Sequence, residues 1–214
     1  MSELEPTVFI VDSDVEVHRE VRRLMESVRL RVETYVTTQA FAERHDPTRP
    51  GCLILEVRMI GMSGIELFRR VRKEGNPIPV IFLTEHGDIP MAVQAMREGA
   101  FHFLQKPFNA QYLLDQTQAA IARDLRYRRE ELERQAMIAR FENLSTREQE
   151  ILTQIMAGKT NKEMARQFDV AIKTVEFHRA NIMKKAGVEN VAELACLLLR
   201  SGWDRRMPRD QGHC

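Results

Sequence analysis

Residues 52–67 read CLILEVRMIGMSGIEL. Four apolar residues run without a break into Glu56, and a glycine-bearing loop and an amphipathic stretch follow. An unbroken run of this kind suits a parallel strand covered on both faces. Similar runs lie at 8–11 (VFIV), 32–36 (VETYV), 80–83 (VIFL) and 101–104 (FHFL). Between the first two, Val17, Val21, Leu24 and Val28 are spaced for one helix face. Strands alternating with helices over the first 110 residues predict an α/β doubly wound domain with a five-stranded parallel sheet.

After Phe108 the strand signal stops. The stretch from Ala110 to Leu144 has neither Pro nor Gly and carries charges of both signs, so it is expected to form one long helix or two collinear ones. Leu114, Ile121, Leu125 and Leu132 make a thin apolar stripe along it. That stripe fits either half of a coiled coil or a final domain helix running into a solvated linker. The last 70 residues are all-α. Ser145–Glu148 and Thr160–Glu163 are capping-box pairs, Asn190–Glu193 is a looser one, and Gly158 and Gly187 are stops. They predict a four-helix unit with helices near 146–157, 161–168, 172–186 and 191–200. The expected division is residues 1–121, a helical linker 122–141, a helical unit 142–202 and a tail 203–214.

Composition narrows the function. A net charge of +1 gives no bulk attraction to nucleic acid or membrane, so any nucleic-acid surface must be a local patch. Three scattered cysteines suggest neither a disulfide framework nor a metal cluster. The start, MSELEP, lacks the apolar stretch of a signal peptide, and no run is long enough to span a membrane. A cytoplasmic protein without membrane partners is expected.

In an open parallel sheet, function gathers beyond the carboxyl ends of the strands. Reading just past those ends gives Asp12, Ser13 and Asp14, then Glu56, Thr84 and Lys106. Carboxylates, a hydroxyl and an ammonium on one edge are the parts of a phosphoryl-transfer site. The segments VFIVDSD, LILEVRMIGMSGIEL and PVIFLTEHGDIPMAVQAMREGAFHFLQKPF resemble the receiver domain of a two-component response regulator of the nitrogen-fixation and nitrate-response type. The match covers residues 7–121. The resemblance implies an aspartate at the end of strand three that takes phosphate from a histidine kinase, and an acid pair that helps bind Mg²⁺. It also implies a Thr and a Lys that read the phosphoryl group, with the Lys–Pro bond cis. Thr84, Lys106 and Pro107 match, and Phe103 takes the aromatic switch position.

The departures matter as much. Glu56 stands where that aspartate is expected, Ser13 replaces the second acid, Ile60 replaces a proline, and Glu85 replaces a small residue beside Thr84. A glutamate carboxylate sits about one C–C bond (~1.5 Å) further out, a costly misplacement for in-line attack. Losing the acid at 13 weakens any Mg²⁺ site at Asp12 and Glu56, so no cofactor is expected. Asp14 is expected to point away as the next residue on a strand. Glu56 is instead expected to contact Lys106 and Thr84 directly and to replace the phosphate. Glu85 is a rival for Lys106. Two readings compete with this: phosphorylation surviving on Glu56 or Asp12, and drift that leaves the domain a dimerisation platform. VFIVDSDV also fits the nucleophile motif of haloacid-dehalogenase-like phosphohydrolases, which would need a later acidic pair that the sequence lacks.

Over residues 159–185, seven basic residues against three acids give a local charge of +4, the patch required above. Residues 142–202 resemble the LuxR-type helix-turn-helix, most clearly in NKEMA and KTVEFHRANIMKKAGV. The resemblance implies a recognition helix at 172–185. Lys173, Glu176, Phe177 and Ala180 would face base edges, Arg179 and Lys184 would lie nearer the backbone, His178 suits a phosphate or packing contact, and Thr174 and Lys185 complete the implied DNA-binding set. Val175, Ile182 and Met183 are expected to form its apolar face. Ala171 replaces the usual Ser cap. The implied partners are double-stranded DNA at a palindromic site, a second copy of the chain and, further off, RNA polymerase. The sequence thus reads as a DNA-binding transcription regulator rather than an enzyme.

Overall fold

The structure, a computed structural model, describes residues 5–85 and 87–203. The chain forms two compact units that divide between Arg129 and Glu130. In the first, β1 (Thr7–Val11), β2 (Arg31–Tyr35), β3 (Gly51–Leu55), β4 (Val80–Thr84) and β5 (His102–Gln105) form one parallel sheet in the order β2-β1-β3-β4-β5. Between them run α1 (Val15–Glu26), α2 (Thr38–Arg44), α3 (Gly64–Lys73) and α4 (Ile89–Arg97), and α5 (Ala110–Glu142) follows β5.

The two-residue period of a strand explains the unbroken apolar runs. Val8, Ile10, Cys52, Ile54, Ile81 and Leu83 join one core with α1 and the start of α5. Their neighbours Phe9, Val11, Leu53, Leu55, Val80 and Phe82 join the other with α2 and α3. Every residue of β1, β3 and β4 is therefore buried, so these three central strands meet solvent at their ends.

Some expectations shift. The α1 face is completed by buried Met25 rather than Val28, because the helix ends at Glu26 and Arg29 turns the chain at φ 63°. Asp14 lies beyond the strand and caps α1, accepting the Glu16 N–H at 2.8 Å. The stripe on α5 is divided: Leu114 and Ile121 are core, while Leu125 and Leu132 are 42% and 57% exposed. α5 is one continuous helix. Buried Asp124 ties it to the sheet, because one carboxylate oxygen accepts both the Gly51 N–H (2.9 Å) and Arg128 Nε (2.7 Å).

His45 is a half-buried base with a pH signature. Its ring stacks on Phe41 at 4.5 Å and meets the edge of Phe9 at 4.7 Å, and Nε2 lies 3.1 Å from the Asn76 amide nitrogen. Burial, with the Arg49 charge nearby, pushes its pKa down to about 4. The unfolded chain takes up this proton below about pH 6.5, whereas the folded chain resists until about 4. The unfolded state thus holds more protons across that window, and stability should fall as pH falls through it. Urea denaturation at pH 5 and pH 7 should show a smaller loss for His45→Phe than for the parent. An equal loss would place the pH sensitivity elsewhere.

The second unit contains the end of α5 with α6 (Thr146–Met156), α7 (Asn161–Phe168), α8 (Ile172–Ala186) and α9 (Val191–Ser201). Both expected Ser/Thr capping boxes form, at Ser145–Glu148 and Thr160–Glu163. Asn190 caps α9, while the Glu193 carboxylate accepts from the Asn190 side chain and the Glu189 N–H. Phe141, Leu152, Met164, Val175, Ile182 and Leu198 are among the residues of its core. The tail from Asp204 onward lies outside the described residues.

Candidate phosphoacceptor pocket and nucleic-acid interface

Glu56 follows the last residue of β3, and three elements converge on its carboxylate. Thr84, ending β4, donates its hydroxyl to Oε1 at 2.5 Å, and the Arg58 N–H donates to the same oxygen at 3.1 Å. Lys106, just after β5, donates to Oε2 at 3.0 Å. The same ammonium donates to Asp12 Oδ2 at 2.7 Å, while Asp12 Oδ1 accepts the Asp14 N–H at 2.9 Å. All three charged side chains are under 10% exposed. Burial alone would raise the Glu56 pKa, but the bonds from Thr84, Arg58 and Lys106 outweigh it and hold it below the usual carboxylate range. Burial would likewise lower Lys106, and the two carboxylates hold it above its ordinary value instead.

The loop after Glu56 is tightly built. The Gly64 N–H bonds the Val57 carbonyl at 2.9 Å, and a β-carbon at 64 would lie 2.1 Å from the Glu56 carbonyl oxygen. Ser63 and Glu66 form a capping box that starts α3 there. The Ser-x-x-Glu signal for it was present in the sequence. Gly87 gave no such signal. A β-carbon there would meet the Phe103 ring at 2.6 Å, so the glycine lets that half-buried ring seat over it, 5.9 Å from Phe82. The Lys106–Pro107 bond is cis. Ser13 and Glu85 are exposed. Glu85 lines the open depression beside Lys106, but the ammonium pairs with Asp12 and Glu56 rather than with Glu85.

In the second unit, α7 ends at Asp169, whose left-handed φ of 51° turns the chain into α8. α8 starts at Ala171 without a side-chain cap, as its sequence suggested. Val175 and Ile182 are buried and Met183 packs against the same core. The opposite face leaves Lys173, Glu176, Phe177, Ala180 and Lys184 exposed, Phe177 by 62%. Thr174, His178 and Arg179 are half-buried. Lys185 turns inward, donating to Glu148 Oε2 at 2.6 Å and to the Asn143 carbonyl at 3.2 Å. Its ammonium braces α8 on α6.

The family model for response regulator receiver domains matches residues 8–118, and that for bacterial regulatory proteins of the luxR family matches residues 142–198. The chain is a LuxR-type two-component response regulator. Among its relatives, the transcriptional regulatory protein TdiR of Thauera aromatica is 37% identical, the alignment covering 91% of this chain and 86% of that one. FixJ of Bradyrhizobium diazoefficiens is 34% identical, with 91% and 95% covered. The solved structure of the response regulator StyR matches with a TM-score of 0.84 and 40% identity, over 92% of this chain and 99% of that one.

This regulator is thus a DNA-binding transcription factor, and the phosphohydrolase reading is set aside because the family acts by binding DNA rather than by catalysis. No described helix is long and apolar enough to cross a membrane. The Mg²⁺ that a receiver implies does not fit the residues present. Among the described residues one ammonium already lies on both Asp12 and Glu56, and no group of three candidate ligands occurs.

Proposed function

We propose that this regulator binds DNA without phosphorylation, with Glu56 doing internally what a phosphorylated aspartate does in its relatives. One observation carries the reading: both Glu56 oxygens are engaged, by Thr84 and Lys106, the two side chains that in a receiver read the phosphoryl group. A charge-assisted contact to each is the interaction that phosphate would otherwise supply. Three donors lie on the carboxylate, two on Oε1 and Lys106 on Oε2, and their charge-assisted bonds make it a poorer nucleophile toward phosphorus. Phe103, seated over Gly87, is then held in its inward position, and a receiver biased this way is a shifted population rather than a new fold.

The DNA-binding form is a homodimer on a palindromic site. Ala192, Cys196 and Leu199 lie exposed on one face of α9, Leu199 by 70%, and two such faces suit pairing across a two-fold axis. Lys173, Glu176, Phe177 and Ala180 enter the major groove, with Lys184 on phosphate. A histidine kinase is not needed for the active state.

Small phosphodonors with Mg²⁺ should leave the protein unmodified. Intact-mass spectra after incubation with acetyl phosphate test this. A stoichiometric phosphate adduct, lost in Asp12→Asn or Glu56→Gln, would overturn it.

A further inference from the structure

Opposite the Glu56 pocket, at the end of the sheet where β4 and β5 begin, lies an open depression of about 360 Å³. Arg72 of α3, Asn76, Gly99, and Arg123, Asp124 and Tyr127 of α5 are among its lining residues. Its volume falls in the range of ordinary ligand pockets, about 300–1,000 Å³.

Two guanidiniums, Arg72 and Arg123, and two carboxylates, Glu98 and Asp124, line it, and it is the carboxylates that are already paired, by Arg69 and Arg128. Arg72 is half-buried and gives three of its N–H donors to carbonyls, those of Asn76 (3.1 Å), Ile78 (2.8 Å) and Gly99 (3.4 Å), which leaves its Nε–H and one Nη2–H. Arg123 lies over the Phe101 ring, 5.8 Å from its centre. Among the described residues neither guanidinium pairs with a carboxylate. The nearby acids are already neutralised. Arg69 grips both Glu98 oxygens, at 2.7 and 2.8 Å, and Arg128 holds Asp124. Burial, together with the like charge of Arg123, pushes the Arg72 pKa down. The fold thus keeps two uncompensated cations together on a concave surface, with an exposed tyrosine ring at its edge. Like charges held together without a counterion cost free energy unless an anion joins them.

We propose that this depression binds a small organic phosphate, with the phosphoryl group between Arg72 and Arg123 and the organic part against Tyr127. A phosphate monoester carries a charge of about −1.5 to −2 near neutral pH, which matches two guanidiniums, and its oxygens accept from planar forks. The site is distinct from the Glu56 pocket and independent of how that pocket is read. Occupancy would tie α3 to α5.

The test is a titration of the full chain with inorganic phosphate and with phenyl phosphate at fixed ionic strength, followed by amide NMR. Both ligands should shift Gly99 and Arg123, and phenyl phosphate should bind more tightly. Arg123→Gln should weaken both by about tenfold, the loss of one charge-assisted partner. Arg126→Gln, an exposed neighbour outside the depression, should change neither. Tyr127→Ala should remove the preference for the phenyl ester. Shifts confined to α8, or an Arg123→Gln titration like the parent's, would overturn the site. Equal affinity for the two ligands would overturn the organic class and leave an anion site only.

Discussion

Lys106→Met is expected to lower the unfolding free energy by about 3 kcal/mol, at the low end for breaking a buried ion pair because the site lies at the sheet edge. The methionine keeps most of the volume but leaves Asp12 and Glu56 buried and facing each other without their shared cation. Glu56→Gln should cost less, about 1 kcal/mol, since Asp12 still neutralises Lys106 and the amide can keep the Thr84 bond. Urea denaturation of the two variants and their double mutant makes the comparison. The double mutant should be less destabilised than the sum of the singles, because Glu56→Gln removes one of the charges that Lys106→Met strands. Equal losses for the two single variants would mean that Lys106 does not organise the pocket.

The second large effect is expected on DNA. Lys184→Ala should weaken binding to every sequence and flatten the dependence on salt by about one unit, the share of one phosphate contact. Glu176→Ala should instead relax discrimination at one base position, worth about 1–3 kcal/mol, since a carboxylate in the major groove accepts from cytosine N4. Lys185→Ala should behave differently from both. Its ammonium is bound to Glu148 and Asn143, so its loss should lower the stability of the helical unit and leave the salt slope nearly unchanged. Competition binding at several salt concentrations separates the three. If Lys184→Ala and Glu176→Ala respond alike, α8 is not the reading helix.

Much of this was legible in the sequence because burial on both faces leaves little freedom. A strand such as CLIL must be apolar throughout, and the first polar residue after it, Glu56, marks the functional edge. The strand ends alone brought Thr84, Lys106 and Asp12 together. They did not show that Lys106 is shared by two carboxylates, since that depends on where the ammonium comes to rest. Nor did they show Glu85 facing outward. Periodicity on α5 located an apolar stripe but could not say which part the sheet covers; Leu114 and Ile121 pack while Leu125 and Leu132 stay in solvent. Counting charge placed Lys185 with the DNA-facing residues, because nothing local reveals an acid 37 residues away. Ser63–Glu66 was readable by the same rule that found the caps of α6 and α7, and Gly87 was not readable at all.

On the proposed reading, Glu56 without phosphorylation holds the regulator in its DNA-binding form. Operator affinity and sedimentation equilibrium of the unmodified parent and of Glu56→Ala, in one buffer of stated salt, test it most directly. The parent should dimerise and bind without any phosphodonor, and Glu56→Ala should lose about tenfold or more in both, an equilibrium shift of about 1.4 kcal/mol. Glu56→Ala dimerising and binding like the parent would contradict the claim, leaving Asp12 and Lys106 to hold the pocket unaided and the receiver a passive platform.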